Sequence, residues 1–597
     1  MKFLVAYVSR RLILRLIAAA SCLASLDTLG VAVIFPYLTI LTSDIPAERS
    51  SMLSKAYRLT GATAHTEFVV FVSAVLAGFF LFKFVVVYLI NKMKCRTSAG
   101  VTIGLSNDLF ALLLKSDYGF LVERSVSEMV GIVNSETIHA TLCLDAWVMI
   151  ATEALFLLFV LATIVAIDVR LALALLIATA LLTGVMYYGF VRRATRMGAA
   201  QTKIRLGQYR FLFGVVSALK DIKILGLEAG SEAEHRHANA RYAKAIASFN
   251  LTQTLPRSII EVLVMLALLG ASVAVVLTQT NVKAAVPVIG FLAVAALRLV
   301  PSYSRIIGGY GTYHYYKPSL KMIQRLYEDL SRTQVVPQHA PRPFESVIEI
   351  RDLRFAYGDK PVLDGVSLSI RRGQSVGIVG LSGSGKTTFL DVLAGLRRAE
   401  GGEFSLDGRP VDPFGTDTLR ALLGYVPQNV TLIDDTIAFN IAFDANPDPQ
   451  RLRMAARAAR IEEFVDSLPE GFATVVGENG VRVSGGQKQR IGIARALYHD
   501  PQLLIFDEAT SSLDNITERE LNLEIAALAP AKTLVIVAHR LTTVARCNEI
   551  HVFEQGKIVG SGAHASLLKT CPAYRALYQT QEHGAEIESA ASHARSA

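Results

Sequence analysis

Residues Gly380 to Thr388 read GLSGSGKTT and match the pattern G-x-x-x-x-G-K-[ST]. They lie between an apolar run, Gln374 to Val379, and a helical pattern, Thr387 to Leu396. Glycines in such a loop let backbone N–H groups turn toward phosphate oxygens, and the N-terminus of the next helix adds partial positive charge. A plain glycine-rich turn is the alternative, but the coincidence of strand, glycines, Lys and Thr disfavours it. The stretch therefore predicts a nucleotide-phosphate site formed by Gly380, Ser382, Gly383, Ser384, Gly385, Lys386, Thr387 and Thr388.

Four side chains, two in this loop and two further along the chain, have types that suit the chemistry of ATP hydrolysis. Lys386 is expected to reach the β and γ phosphates of ATP, and the Thr387 hydroxyl to ligate Mg2+. Further along, the apolar run Leu503 to Phe506 ends in Asp507 and Glu508. A strand of this kind would place Asp507 near Mg2+ and Glu508 beside the γ-phosphate, where it can polarise a water molecule. An ordinary strand end facing solvent is the alternative, and the phosphate loop favours the catalytic interpretation.

The residues from Ile348 to Leu577 resemble the ATP-binding cassette (ABC) family in several motifs. Val483-Ser484-Gly485-Gly486-Gln487 is similar to the family signature. Tyr425-Val426-Pro427-Gln428 is similar to the segment whose glutamine links the metal to the membrane domain, and Tyr357 matches the aromatic residue that stacks on adenine. The resemblance implies ATP contacts from Tyr357, Gln428, Ser484, Gly485, Gly486 and Gln487, and Mg2+ binding by Thr387, Gln428 and Asp507.

Three more motifs belong to this resemblance. Ser511-Ser512-Leu513-Asp514 resembles the D-loop, and Ala538-His539-Arg540 resembles the segment with the switch histidine. Gly477-Glu478-Asn479-Gly480 is similar to the exporter segment that contacts the coupling helices. The resemblance implies that Asp514 lies at the ATP site and that Glu508 and His539 are catalytic. Val483 and Ser512 replace the usual Leu and Ala.

The number of motifs bears on assembly, because the chain has one phosphate loop and one signature. In the ABC family, ATP lies between the loop of one copy and the signature of another. The resemblance therefore implies a homodimer with two sites for ATP and Mg2+.

The composition indicates that part of this 597-residue chain lies in a membrane, since 52% of its residues are hydrophobic and only 19% are charged. The five cysteines show neither metal nor disulfide spacing. The net charge of +9 is concentrated in segments expected to face the cytoplasm, so it indicates positive-inside topology and no nucleic-acid partner. Met1 to Leu41 is too long for a cleavable signal peptide and is interpreted as a membrane helix.

Six apolar stretches predict membrane-spanning helices. They run from Leu12 to Leu41, from Phe68 to Ile90, from Ala146 to Ile167, from the turn Asp168-Val169-Arg170 to Val191, from Ile259 to Leu277 and from Val286 to Val300. The basic loops place both termini in the cytoplasm. Long polar stretches with helical periodicity follow the second and fourth spans, which predicts helices that extend into the cytoplasm.

The domain organisation predicted from these patterns has four parts: a transmembrane domain at 1–330, a linker at 331–346, an ATP-binding cassette domain at 347–581 and a disordered tail at 582–597. The fold class is an all-α membrane domain fused to an α/β P-loop domain with a largely parallel sheet. Six spans before one cassette resemble an exporter-type half-transporter. That resemblance implies short coupling helices, which we place near Tyr118 to Glu123 and Gln208 to Phe213.

Basic residues in or near the spans are candidate substrate contacts, because ionisable groups are costly in a bilayer. They are Lys83, Arg257, Arg298 and Arg305. Cations near the cytoplasmic interface suit an anionic headgroup such as a phosphate or pyrophosphate. Snorkelling to lipid phosphates, or pairing with Asp27, Glu153 or Glu261, is an equally open alternative.

Three stretches resemble lipid-linked oligosaccharide flippases: Ser217 to Gly226, Leu297 to Ser302 and Leu432 to Ile437. This resemblance implies ATP-driven movement of a polyprenyl-pyrophosphate glycan from the inner to the outer leaflet of a bacterial plasma membrane. It also implies an external helix at Ala47 to Leu59, where a solvated loop is the alternative. A general lipid, drug or peptide exporter remains open. An ATP-gated channel or a regulatory ATPase is a more remote alternative, since both Glu508 and His539 are present.

Overall fold

The computed structural model describes residues 2–33, 37, 40–41, 65–167, 169, 184–185, 188–189, 192–277, 282–334, 342–414, 417–509, 515–529, 531–538 and 540–580. The chain divides into two compact units. The first comprises Met1–Ser116 and Val122–Thr333, and the second comprises Asp117–Leu121 and Gln334–Ala597.

The described part of the chain before residue 334 is helical. Its elements are α1 (Lys2–Val5), α2 (Arg10–Ala32), α3 (His65–Lys115), α4 (Tyr118–Val122), α5 (Val126–Gly131), a π-helical turn (Ile132–Glu136), α6 (Thr137–Ile167), α7 (Arg192–Ser217), α8 (Leu219–Leu225), α9 (Glu228–Leu277) and α10 (Val282–Arg332).

Three helical segments among the described residues are long and apolar enough to cross a bilayer: Arg10–Gly30, Thr66–Lys115 and Val126–Ala162. They contain most of the first three predicted spans. The apolar side chains of Val70 and Phe84 on α3 are 68% exposed within the chain, as expected of a surface that faces lipid. The fourth predicted span lies almost wholly outside the described residues. The fifth and sixth fall within α9 and α10, so a total of six spans stays a prediction.

The short helices between the long ones are only partly as predicted. α4 begins at Tyr118, as expected, and ends at Val122. The second prediction is wrong, because Gln208 to Phe213 lies inside the continuous helix α7. The short helix there is α8, which follows a break at Ala218 and ends at Gly226 in the left-handed conformation, with φ of 66°. Glycine suits this helix end because it adopts positive φ without a steric penalty.

The second unit combines strands and helices. Its strands are β1 (Val347–Tyr357), β2 (Lys360–Arg371), β3 (Ser375–Gly380), β4 (Gly401–Leu406), β5 (Arg409–Pro410), β6 (Leu423–Val426), β7 (Leu503–Asp507), β8 (Thr533–Val537), β9 (Glu549–Glu554) and β10 (Lys557–Gly562). Its helices are α11 (Lys386–Leu393), α12 (Asp417–Arg420), α13 (Ile437–Ala442), α14 (Pro449–Ala458), α15 (Glu462–Asp466), α16 (Gly485–Leu497), α17 (Asn515–Ala527), α18 (Leu541–Val544) and α19 (His564–Thr570), with 3-10 turns at Gly471–Ala473 and Glu478–Gly480.

The strands form two sheets. The larger has the order β10-β9-β3-β8-β7-β6, in which β9, β3, β8, β7 and β6 are parallel and β10 is antiparallel. This confirms the predicted parallel sheet. The smaller has the order β2-β1-β4-β5 and is antiparallel throughout, a feature that the sequence analysis did not predict.

The parallel sheet is buried on both faces, which explains its continuous apolar runs. Side chains alternate between the faces of a strand. In β7, Leu504 and Phe506 join one apolar cluster, while Leu503 and Ile505 join the other. This packing holds the carboxyl ends of β3 and β7, and the loops that follow them, at one edge of the sheet.

Candidate nucleotide-binding site

The loop between β3 and α11 has a backbone that requires glycine. Gly380, Gly383 and Gly385 have φ angles of 154°, 79° and 103°, in the region that residues with a Cβ rarely adopt. A Cβ at Gly380 would lie 2.2 Å from the Phe553 carbonyl oxygen. At Gly380 the loop therefore approaches the neighbouring strand too closely for any side chain, which explains why the motif has glycine at this position.

The polar side chains of this loop suit a phosphate ligand. Lys386 Nζ donates to the carbonyl oxygens of Gly380 at 2.9 Å and Leu381 at 3.0 Å, so the ammonium lies within the curve of the loop. Burial lowers the pKa of Lys386, while the carboxylates of Glu508 and Asp507 act in the opposite direction. Ser384 Oγ is buried without a hydrogen-bond partner within the described part of the chain. A phosphate oxygen would satisfy this hydroxyl.

The two carboxylates after β7 are held by different partners. Asp507 is only 6% exposed, and its Oδ2 accepts a hydrogen bond of 2.9 Å from the Tyr425 hydroxyl. Burial raises the pKa of Asp507, and the Tyr425 hydrogen bond opposes that shift. Glu508 has a positive φ of 49°, which is uncommon outside glycine, and its Oε2 accepts a hydrogen bond of 2.8 Å from Gln428 Nε2. The structure thus brings together Lys386, Gln428, Asp507 and Glu508.

The signature residues lie at the N-terminus of a helix, a position that favours the binding of an anion. Ser484 is the N-cap of α16: its Oγ accepts from Gln487 N at 3.3 Å, while Gln487 Oε1 accepts from Ser484 N at 2.8 Å. Gly485 is exposed, with open space where a Cβ would point. The N-terminus of α16 is therefore held by hydrogen bonds within the chain, and Gly485 there is accessible to a binding partner.

Several predicted site residues are not tested. His539 and the D-loop-like residues Ser511 to Asp514 lie outside the described residues. Of the loop residues, Ser382 and Thr387 are exposed and Thr388 is buried. Tyr357 is 43% exposed at the end of β1.

Sequence reasoning assigned no role to Tyr425, which contacts Asp507 directly. Its position offered a signal. It lies in strand β6, which pairs in parallel with the strand that ends in the carboxylates, and three residues before Gln428.

Comparisons with known proteins agree with this geometry. The family description "ABC transporter transmembrane region" matches residues 21–301, and "ABC transporter" matches residues 363–511. The ATP-dependent lipid A-core flippase of Hahella chejuensis is 43% identical over 238 residues, which is 39% of this chain and 41% of that protein, so this match spans less than half of the relative. The ATP-dependent lipid A-core flippase of Bordetella pertussis is 30% identical over 539 residues, or 87% of this chain and 84% of that protein.

This chain belongs to the ABC transporter family. A solved structure described as a bacterial Atm1-family ABC exporter with ATP bound matches it with a TM-score of 0.79 and 25% identity, over 96% of this chain and 98% of the other. One membrane domain and one cassette domain on a single chain make it an exporter-type half-transporter. Family membership implies ATP hydrolysis coupled to transport.

The candidate substrate residues of this transporter differ in their surroundings. Lys83 Nζ lies 2.7 Å from Asp27 Oδ1, and Arg305 Nη1 lies 2.5 Å from Glu153 Oε1. Two of the acid–base pairs offered by the alternative interpretation are therefore formed. Arg257 is exposed on α9. Arg298 lies in α10, and its side chain is outside the described residues.

Lys83 and Arg305 line a cavity of about 1240 Å³ in the first unit. Most of the lining residues are apolar, and they include Ile13, Leu16 and Leu23 of α2. The charged residues of the lining are Lys83, Lys94, Asp145, Glu153 and Arg305, with Asp27 of α2 paired to Lys83. The acids equal the bases in number, so the charged lining of the cavity is not purely cationic.

Proposed function

We propose that this transporter is a homodimeric flippase that moves a lipid-linked oligosaccharide from the inner to the outer leaflet of a bacterial plasma membrane. The observation that carries the proposal is the cavity of the first unit, whose lining is mainly apolar and also includes Lys83, Lys94 and Arg305. Such a cavity suits an amphiphile with an acyl or prenyl tail and a phosphorylated head. The names of the relatives, which are lipid flippases, support a lipid cargo.

Lys83 and Arg305 of the cavity are each paired with an acid, and this constrains the proposal. A phosphate or pyrophosphate that binds Lys83 or Arg305 has to replace Asp27 or Glu153 as the partner of that cation. Such an exchange is reasonable because a phosphate offers a guanidinium the same two-oxygen geometry as a carboxylate. The pairs keep the cations compensated in a membrane segment until an anionic head exchanges with the acid.

At the cassette unit, ATP binds with its phosphates on the loop from Gly380 to Thr388 and its base on Tyr357. Lys386 contacts the β and γ phosphates. Thr387, Gln428 and Asp507 would hold Mg2+. The Ser384 hydroxyl, which is buried without a hydrogen-bond partner among the described residues, and the carboxylates at the end of β7 fit a bound Mg-nucleotide. When bound, Mg2+ neutralises charge on the phosphate oxygens.

The hydrolytic step needs a base and a second contact to the γ-phosphate. Glu508 takes a proton from the water whose oxygen bonds to the γ-phosphorus, while the bond from that phosphorus to the β,γ-bridging oxygen breaks and ADP leaves. Gln428, which donates to Glu508 Oε2, fixes the orientation of that carboxylate. His539, which follows β8 in the sequence and lies outside the described residues, is the second residue that we propose contacts the γ-phosphate. Ser484, Gly485, Gly486 and Gln487 of a second copy, together with Asp514, complete each site.

A second candidate cargo follows from the relatives, since two of them are named lipid A-core flippases. Lipid A-core and polyprenyl-pyrophosphate glycans are both phosphorylated glycolipids, so the cavity alone does not separate them. An exporter of uncharged drugs or of peptides would have less use for the charged side chains of the cavity.

The test is ATPase activity of the purified protein in nanodiscs with three additives: a polyprenyl-pyrophosphate glycan extract, lipid A-core, and a hydrophobic drug. Stimulation by the glycan extract alone supports the proposal, and stimulation by lipid A-core alone supports the second candidate. Equal stimulation by all three contradicts both. Arg305→Ala should raise the concentration of the effective lipid that gives half-maximal stimulation.

The control for turnover is Glu508→Gln, which keeps the size of the side chain and removes the base. It should bind ATP with little change but lose hydrolysis by a factor of about 10² to 10⁴. Continued hydrolysis by this variant would remove Glu508 as the base.

A further inference from the structure

The Tyr357 ring is held from one side by an arginine that the family motifs do not include. The Arg397 Cζ atom lies over this ring, 4.7 Å from its centroid. Phe355, which is buried, meets Tyr357 edge-on, with 5.0 Å between ring centroids and an interplanar angle of 86°. Tyr357 nevertheless keeps 43% of its surface exposed. The ring is therefore supported on one side and accessible on another.

Arg397 is itself fixed in place. Its Nε lies 3.2 Å from Asp391 Oδ2, and the two side chains are only 13% and 16% exposed. The backbone N–H of Arg397 also donates to the Asp391 carbonyl oxygen at 3.2 Å. A long side chain that is anchored at both its backbone and its head loses much of its rotamer freedom in the folded state. The guanidinium is thus a fixed platform rather than a mobile surface cation.

Gly119, which belongs to the same unit, lies near the Arg397 guanidinium. A Cβ built at Gly119 would lie 3.4 Å from Arg397 Nη1, at van der Waals distance, so the arginine lies beside the backbone of this segment. Asp117 Oδ1 accepts from Gly119 N at 2.9 Å and orders the turn. Arg397 therefore fills a socket formed by Asp391, Tyr357 and Gly119.

Asp391 connects this socket to the phosphate loop. It lies on α11, the helix that begins with Lys386 at the end of that loop. The part of the chain expected to hold the phosphates and the part expected to hold the base are thus joined through one helix and one ion pair.

We propose that Arg397, held by Asp391, is a positioning residue that keeps the Tyr357 ring oriented for a purine base. This inference rests on the proposed function, in which Tyr357 stacks on adenine. A guanidinium stacked on one face of an aromatic ring stabilises the ring through its quadrupole and leaves the other face for the base. Removal of Arg397 should weaken binding of the base and spare binding of the phosphates.

The test compares two ligands on the purified full-length transporter with Mg2+: ATP, and inorganic tripolyphosphate, which lacks base and sugar. Calorimetric dissociation constants are measured for the wild type and for Tyr357→Ala, Arg397→Ala and Arg397→Lys. Arg398→Ala is the matched control, since Arg398 is the next residue and is exposed. Arg397→Ala should weaken ATP about three- to tenfold and leave tripolyphosphate unchanged. Arg397→Lys should restore only part of the loss, because an ammonium does not stack as a guanidinium does.

The ratio of the ATP affinity to the tripolyphosphate affinity separates a positioning role of Arg397 from a general loss of structure in the loop. A misfolded loop would weaken both ligands, in which case Asp391→Asn serves as the milder variant and should reproduce the selective loss. The double variant Tyr357→Ala/Arg397→Ala should be no worse for ATP than Tyr357→Ala alone.

Two outcomes would overturn the inference in distinguishable ways. If Tyr357→Ala lowers the ratio while Arg397→Ala behaves like Arg398→Ala, Arg397 has no positioning role and the proposed ATP site stands. If Tyr357→Ala leaves the ratio unchanged, the base does not bind at Tyr357, and the proposed site and the inference both fail.

Discussion

At the scale of single residues, the hydroxyl of Tyr425 determines how Asp507 is held. It donates to Asp507 Oδ2 at 2.9 Å, and Asp507 is 6% exposed. A carboxylate that ligates a hard cation needs its oxygens aimed at that cation, and a hydrogen bond to one oxygen fixes the orientation of the other. Tyr425 therefore acts through Asp507 and not on the nucleotide itself.

Tyr425→Phe removes this hydrogen bond with little change in packing volume. Hydrogen bonds to charged groups contribute about 1.5–3 kcal/mol, so the Mg2+ concentration for half-maximal ATPase activity should rise about tenfold. The measurement is a Mg2+ titration of ATPase activity at saturating ATP. The control is Tyr498→Phe, which removes a buried hydroxyl that accepts from Asp448 N at 2.8 Å. Equal Mg2+ curves for the two variants would show that Tyr425 does not orient Asp507.

At the scale of elements, a buried ion pair joins the helices of the first unit. Glu136 lies in the π-helical turn before α6, and Arg205 lies in α7. Arg205 Nη2 is 2.6 Å from Glu136 Oε1, the two side chains are 4% and 0% exposed, and Arg205 Nη2 also donates to Ser319 of α10 at 3.4 Å. The pair thus ties together three elements that are distant in sequence.

Arg205→Ala should strongly destabilise the transporter, because it leaves Glu136 buried without its cation. Breaking such a pair costs about 3–5 kcal/mol. The measurement is the thermal unfolding midpoint in detergent. Arg236→Ala is the control, since Arg236 pairs with Glu232 at 2.6 Å but the two side chains are 78% and 68% exposed. A midpoint for Arg205→Ala equal to that of Arg236→Ala would mean that the pair contributes no net stability.

The elements also show what can be predicted from sequence. The parallel sheet was predictable because each strand is a contiguous run, such as Leu503 to Phe506, buried on both faces. The phosphate loop was predictable because its glycines are needed locally. The position of α8 was missed, since α7 ends at Ser217 and α8 begins after Ala218, an N-cap residue without a capping side chain, so that the local signal is Gly226.

Contacts between distant segments were not predictable by such means. Arg397 and Tyr357 are far apart in sequence, and no spacing rule relates an arginine after one helix to a tyrosine at the end of a strand. The pairs Lys83–Asp27 and Arg305–Glu153 depend on which faces of two helices meet, which periodicity leaves undetermined. The sequence named Asp27, Glu153 and Glu261 as possible partners of the basic residues, and the structure shows that Lys83 pairs with Asp27 and Arg305 with Glu153.

At the scale of the whole molecule, the proposed homodimer follows from the number of nucleotide-binding motifs in one chain. The chain has one phosphate loop and one signature. In the proposed arrangement each ATP lies between the loop of one copy and the signature of the other. A chain with a defective loop and a chain with a defective signature should then form a mixed dimer with one intact site and one site that carries both defects.

Lys386→Ala supplies the defective loop, because it removes the ammonium that lies within the loop. Gly485→Asp supplies the defective signature: a Cβ meets open space there, so the helix should fold, while the added carboxylate repels the γ-phosphate. Each homodimer should be nearly inactive. The mixed dimer, isolated with two affinity tags, should hydrolyse ATP about tenfold or more faster than either.

Gly485→Asn is the matched control, because it has nearly the size of Asp without the charge and should retain more activity as a homodimer. If every chain formed its ATP site from its own loop and its own signature, the mixed dimer would contain two defective sites. Its activity would then equal the mean of the two homodimers. Recovery in the mixed dimer requires that the loop of one copy and the signature of the other act on the same nucleotide.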